Sequence, residues 1–240
     1  MRIINFSNQD ELFIWAADDF MAQALKTLQH KEYFDVALSG GSTAQNFFQV
    51  LACKAKDFPC LKYTRFFVSD ERAVDLSSES SNAGNAWRQL LAPLGLKNIN
   101  FFPAFDNSNT PEEAAHYYEL KISQLLEYNQ DSLPVFDLIY LGIGLDGHTA
   151  SIFPHSDLVK SVNTNKNLVA ATEEEIAGFR RLSFMPRLIN AAKNICIMAP
   201  GTNKAQVLDA ITKGPLAPED LPAQLIIRSN CANVTLLQSV

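Results

Sequence analysis

Asp146 and His148 lie in the run Gly142-Ile143-Gly144-Leu145-Asp146-Gly147-His148, whose three glycines allow sharp backbone bends around two groups that handle protons. An imidazole has an ordinary pKa of about 6.5, exchanges its proton near neutral pH, and is suited to take one from water. A lone histidine is more often structural than catalytic, yet one in a glycine loop directly after an apolar run reads as a general base. His155 follows in the same segment. The spacing of Asp146, His148 and His155 matches no familiar metal site, so no metal is expected there.

Other stretches offer chemistry for an anion. Ser39-Gly40-Gly41-Ser42-Thr43 joins an apolar run to a helical pattern. It is neither a Walker loop nor a dinucleotide fingerprint, and two readings carry equal weight: a phosphate cradle at a helix N-terminus, or a tight turn capped by Ser42 or Thr43. Asp70, Glu71 and Arg72 concentrate charge where another apolar run ends. Such runs are usually solvated, and only the position at a strand end raises a functional reading. Lys204 follows Gly201 and Thr202 into a helical first turn, where a cation opposes the helix dipole unless an anion bridges the two. An exposed lysine is the alternative. Arg181 is a further cation, and spacing alone does not separate it from Arg180 or Arg187.

Short apolar runs alternating with helical periods must position these groups. Strands are expected at IINF, DVAL, RFFV, FDLIYLGIG, NICIMA, QLIIR and VTLLQ. Helices are expected with Phe13, Ala17, Phe20, Ala24 and Leu28 on one face, over QNFFQVLA, over AWRQLLA behind an Asn82 cap, and over KAQVLDAI. The helix from Pro111 through Leu126 has the clearest start, with Thr110 as N-cap and Glu113 completing a capping box. The serine-rich stretch from Ser77 to Ser81 reads as exposed polypeptide. The sum is an α/β fold: one domain over residues 1–240, with a largely parallel sheet flanked by helices. In such sheets ligands bind beyond the carboxyl ends of the strands, where the loops after DVAL, RFFV, FDLIYLG and NICIMA all carry unusual residues.

Composition narrows the partners. The chain has 240 residues, 47% hydrophobic and 19% charged, enough apolar content for a full core. Its net charge is −6 and its few Lys and Arg are scattered, which argues against nucleic acid as a partner. An anionic small molecule would be met by a few local cations. Cys53, Cys60, Cys196 and Cys231 form no C-x-x-C pair and read as buried or incidental thiols, while the opening residues lack a secretory pattern and no run spans a bilayer. A cytoplasmic, monomeric protein is expected.

Taken in order, SGGST, SDER, GIGLDGHTASIFP, RLSFMPRLINAA and GTNKAQVL resemble the 6-phosphogluconolactonase family, within the wider group that includes glucosamine-6-phosphate deaminase. The likeness spans most of the chain, and DGHTASIFP is its most specific segment. It implies a modified Rossmann-like sheet and cofactor-free hydrolysis of 6-phospho-D-glucono-1,5-lactone to 6-phosphogluconate, a step of the oxidative pentose phosphate pathway. It also implies His148 as general base, Asp146 as its electrostatic neighbour and Arg72 near the lactone. Gly40, Gly41, Ser42, Thr43, Arg181 and Lys204 would surround the phosphate. Three positions depart from the family pattern: Ala44 for proline, Gly84 for a basic residue, and His155 for glycine. The tail after Arg228 also matches poorly. Two rivals stand beside this reading: an amino-sugar phosphate deaminase, in which the histidine segment runs on into Asn-Glu-Pro, and a noncatalytic sugar-phosphate sensor.

Overall fold

A computed structural model describes residues 1–106, 110–229 and 232–240. The chain runs β1 (Arg2–Phe6), α1 (Gln9–Thr27), β2 (Phe34–Leu38), α2 (Gly41–Lys54), β3 (Thr64–Val68), β4 (Asp70–Arg72) and α3 (Asn82–Ala86). It continues through β5 (Phe101–Phe102), α4 (Pro111–Leu125), β6 (Leu138–Gly142), α5 (Asp157–Lys160), β7 (Val169–Ala171) and β8 (Arg181–Phe184). The last elements are α6 (Pro186–Asn190), β9 (Asn194–Ala199), α7 (Ala205–Lys213), α8 (Gln224–Ile227) and β10 (Asn233–Ser239).

Seven strands form one sheet in the order β1-β10-β9-β6-β2-β3-β5, and every pairing in it is parallel. The central strands are apolar on both faces because helices cover both. Along β6, Leu138 and Tyr140 pack with Phe20 and Phe47 on one side, while Ile139 and Leu141 pack with Phe136 and Phe184 on the other. This is the alternation that a pleated strand imposes.

Topology fixes where a ligand can enter. From β2 the chain moves outward to β3, whereas from β6 it moves the opposite way to β9 and β10. The strand order therefore reverses between β2 and β6, and a crevice opens beyond their carboxyl ends. At the amino ends the same strands are pinned shut. Asp35 and Asp137, both buried, accept from Lys31 at 3.0 and 2.8 Å, Arg65 grips Asp35 at 2.6 Å, and Lys193 reaches Asp137 at 2.8 Å.

Several expectations need correction. QLIIR is not a strand: Gln224–Ile227 is α8, and three apolar residues are too few to show a period that separates the two. The buried Gln224 amide holds it there, donating to Ala210 and Pro215 carbonyls and accepting from the Ala217 N–H. Ser81, not Asn82, caps α3, accepting from Gly84 N at 2.9 Å, so the serine-rich stretch ends buried rather than exposed. Beyond Ala86 the helix widens into one π turn, Trp87–Leu91. Neither Ser42 nor Thr43 caps α2: Gly40 does, without a side-chain bond. Cys53 is exposed, Cys60 half-buried and Cys196 buried, all three unbonded, while Cys231 lies outside the described residues. A second sheet, β4-β8-β7, is antiparallel and stands beside the first. Among the described residues, no helix is long and apolar enough to cross a membrane.

Candidate active site

The second sheet places the cations. In the β4/β8 ladder Arg72 sits directly opposite Arg181, a like-charge pair that an antiparallel ladder ordinarily penalises. Arg72 donates from Nη1 to the Ser80 carbonyl at 2.8 Å, and its buried Nε has no partner. Arg181 donates to the Ile176 carbonyl at 3.2 Å. Burial and then the Arg72 charge pull the Arg181 guanidinium below its ordinary value, against the opposing pull of Asp70 and Glu71. Lys204, in the turn before α7, is lowered by burial. Among the described residues, none of these three cations makes an ion pair. All three line one cleft of about 180 Å³ with Ser39, Gly40, Gly41, Ser42 and Thr43, at the start of α2. That helix has no acidic residue in its first turn and no side-chain cap, so its N–H groups remain available to an anion.

The carboxylates of the same loop are buried scaffolding, not a solvated charge run. Glu71 accepts from the N–H groups of Arg72, Asn82 and Ala83 at 2.7 to 2.8 Å and from the Ser81 hydroxyl at 3.0 Å. It thereby ties β4 to the start of α3. Burial pushes its carboxyl up to about 7, although those hydrogen bonds pull the other way. Asp70 accepts from Ser151 at 2.8 Å, joining the Arg72 strand to the histidine loop.

His148 enters from the loop after β6. The loop closes on itself through Gly144 N to His148 O at 2.9 Å and Gly147 N to Gly144 O at 3.0 Å. A Cβ on Gly144 would overlap the His148 ring and the Asp146 carboxylate, so the close approach requires glycine there. Asp146 Oδ1 lies 2.5 Å from His148 Nδ1 and accepts from the His148 amide at 3.2 Å. Burial alone would raise the Asp146 carboxyl; its bond to the imidazole and the ring's charge outweigh that and hold it below its usual value. In a neutral imidazole, an ionised acceptor at Nδ1 favours the tautomer with the proton there and the lone pair on Nε2. The ring is 30% exposed and stacks on Phe153, with centroids 4.2 Å apart.

Nine side chains or loop positions were expected at the site, and eight line the cleft: Gly40, Gly41, Ser42, Thr43, Arg72, His148, Arg181 and Lys204. Asp146 stands behind His148, 48% exposed. Arg180 turns away to pair with Glu112 and Arg187 is exposed, so of the three arginines Arg181 is the one that lines the cleft. His155 also lies outside, with its Nε2 3.2 Å from Asp220. Ala44 is buried in the first turn of α2. A side chain at Gly84 would collide with the Leu76 carbonyl, so the loop backbone fills the space in which a basic residue was expected. Asp70, flagged at the end of its strand, also lines the cleft, together with Asn82, which the sequence suggested only as a helix cap, and Ala150, which it did not suggest. Among the described residues, no group of three or more His, Cys, Asp or Glu side chains is placed to hold a metal ion.

A doubly wound sheet, a cation-lined cleft at its switch point and an imidazole on the rim define an α/β protein of the kind whose ligands bind at strand carboxyl ends. Residues 7–236 match the family described as glucosamine-6-phosphate isomerases/6-phosphogluconolactonase. The 6-phosphogluconolactonase of Treponema pallidum is 36% identical over 205 residues, covering 85% of this chain and 83% of that protein. That of Synechocystis is 30% identical over 201 residues, with coverage of 84% and 80%. The crystal structure of 6-phosphogluconolactonase from Thermotoga maritima superposes with a TM-score of 0.82 at 28% identity, covering 99% of each chain. The chain belongs to this family and groups with its 6-phosphogluconolactonases, which are hydrolases.

Proposed function

We propose that the protein hydrolyses 6-phospho-D-glucono-1,5-lactone to 6-phosphogluconate, the ester-opening step of the oxidative pentose phosphate pathway, with His148 as general base. The observation that carries this reading is the pair of opposed arginines. Arg72 and Arg181 face one another, neither in an ion pair among the described residues, beside a helix start that lacks a side-chain cap, in the cleft that also holds His148. A dianionic phosphate offsets that repulsion, and fixing it aligns the distant ester.

In this account the N–H groups at Gly41, Ser42 and Thr43, with Arg181 and Lys204, hold the phosphate, and the lactone lies toward Gly144 and His148. Nε2 of His148 takes a proton from water as the water oxygen bonds to C1. The carbonyl electrons move onto oxygen, where Arg72 or neighbouring backbone donors meet the new charge. As the carbonyl reforms, the C1 to ring-oxygen bond breaks and the leaving oxygen takes the proton from the imidazolium. The carboxylic acid product then ionises. No group beyond the chain is used. We propose, as a separate expectation, a single-domain monomer that works in the cytoplasm.

The test is a continuous assay on freshly generated lactone, corrected for spontaneous opening. The expected kcat/KM on the phosphorylated lactone exceeds that on the unphosphorylated one by at least about 100-fold. Equal efficiency on both would remove the role of Arg181 and Lys204, and faster ammonia release from glucosamine 6-phosphate would place the chain with the deaminases.

A further inference from the structure

The two halves of this site, base and anion handle, meet on one aromatic ring that lines neither. The Phe153 ring lies 4.2 Å from the His148 ring, centroid to centroid, with planes 28° apart. The Arg181 guanidinium carbon stands 5.1 Å over the same Phe153 ring. We propose that Phe153 is a positioning residue, a shared platform that fixes the plane of the imidazole and the reach of the guanidinium at once. The proposal rests on the reading of His148 as base and Arg181 as phosphate ligand.

Asp146 holds the imidazole through Nδ1 only, from a half-exposed position, and one hydrogen bond leaves the ring free to swing about that contact. A stacked ring 4.2 Å away limits that freedom. Among the described residues Arg181 has one side-chain hydrogen bond, to Ile176, so the same face supplies its second restraint. The platform is itself anchored. Ile152 N donates to Thr149 O at 3.0 Å, closing a tight turn just before Phe153, and the Phe153 carbonyl accepts from Ser156 Oγ at 2.8 Å. Ser151 Oγ donates to Asp70 at 2.8 Å, and its amide donates to Ser183 Oγ at 3.1 Å, on the strand that carries Arg181. One short segment therefore holds the base, the cation strand and the ring between them.

The experiment compares Phe153→Leu, which keeps an apolar side chain but loses the π face, with Phe153→Tyr, which restores it. Three readouts are used: the His148 ring-proton NMR lines, the affinity for inorganic phosphate, and lactone turnover. In the Leu variant the lines lose their ring-current displacement, and phosphate affinity and kcat each fall about tenfold; the Tyr variant returns all three toward the parent. If the Leu variant does not fold, Phe153→Met makes the same comparison. Unchanged NMR lines, affinity and turnover in the aliphatic variant would overturn the proposal, as would equal impairment of the aliphatic and Tyr variants. A parent protein that opens no lactone, yet shows the expected NMR and phosphate effects, would overturn the catalytic reading and leave the platform standing.

Discussion

Nδ1 of His148 faces an ionised Asp146, so the capacity of the ring to act as the proposed base depends on which nitrogen carries the proton. Asp146→Asn keeps the shape but offers an amide N–H to Nδ1, which favours the tautomer protonated at Nε2 and removes the base. The expected result is a fall in kcat of roughly 10²- to 10⁴-fold with little change in phosphate affinity, read from steady-state kinetics and phosphate titration. Gly144→Ala approaches the same ring sterically. Its Cβ would overlap the imidazole, so kcat is expected to drop by at least about tenfold while the far-UV circular dichroism stays that of the parent.

At the scale of elements, what the sequence disclosed depended on length. The buried strands of the main sheet and the Thr110-capped helix were legible, because five or more residues of one character or a full capping box leave a pattern. The β4-β8-β7 sheet left none. Its strands are three or four residues long, and β4 consists of three charged residues that read as surface. Opposing Arg72 and Arg181 is a fact of register between segments more than 100 residues apart, so neither spacing nor composition could disclose it. Glu71 was opaque for a related reason, since its four donors come from β4 and from the Ser81–Ala83 turn that begins α3. His155, noted as a departure from glycine, proves to occupy left-handed backbone at φ 57°. Glycine suits that conformation better, and the exposed contact with Asp220 contributes little against it. His155→Gly is expected to raise stability by about 0.5–1 kcal/mol, net of the extra chain entropy of glycine, in urea denaturation.

Across the whole molecule a net charge of −6 coexists with a cleft lined by Arg72, Arg181 and Lys204, so the proposed attraction for a phosphorylated ligand is local and not a property of the overall field. The buried carboxylate beneath that cleft links it to global stability. Glu71 titrates near 4.5 when unfolded and about 7 when folded, so between those values the native chain holds a proton that the unfolded chain has lost. Stability from this group is therefore greatest below pH 4.5, falls as pH rises toward 7, and is flat beyond. Asp146 acts in the opposite sense: its folded value is lowered, so its contribution is present above the unfolded value of 3.8 and is lost on further acidification, outside the Glu71 window. Glu71→Gln is expected to be less stable at every pH, because two buried donors lose an acceptor, and to show a shallower decline in urea midpoint between pH 4.5 and 7 than the parent. The central claim is that an anchored phosphate holds a cyclic ester beside an imidazole, and its most direct test is single-variant turnover. His148→Ala, assayed on fresh phosphorylated lactone, is predicted to lose at least about 100-fold in kcat while binding inorganic phosphate as the parent does; turnover within a few-fold of the parent would contradict it.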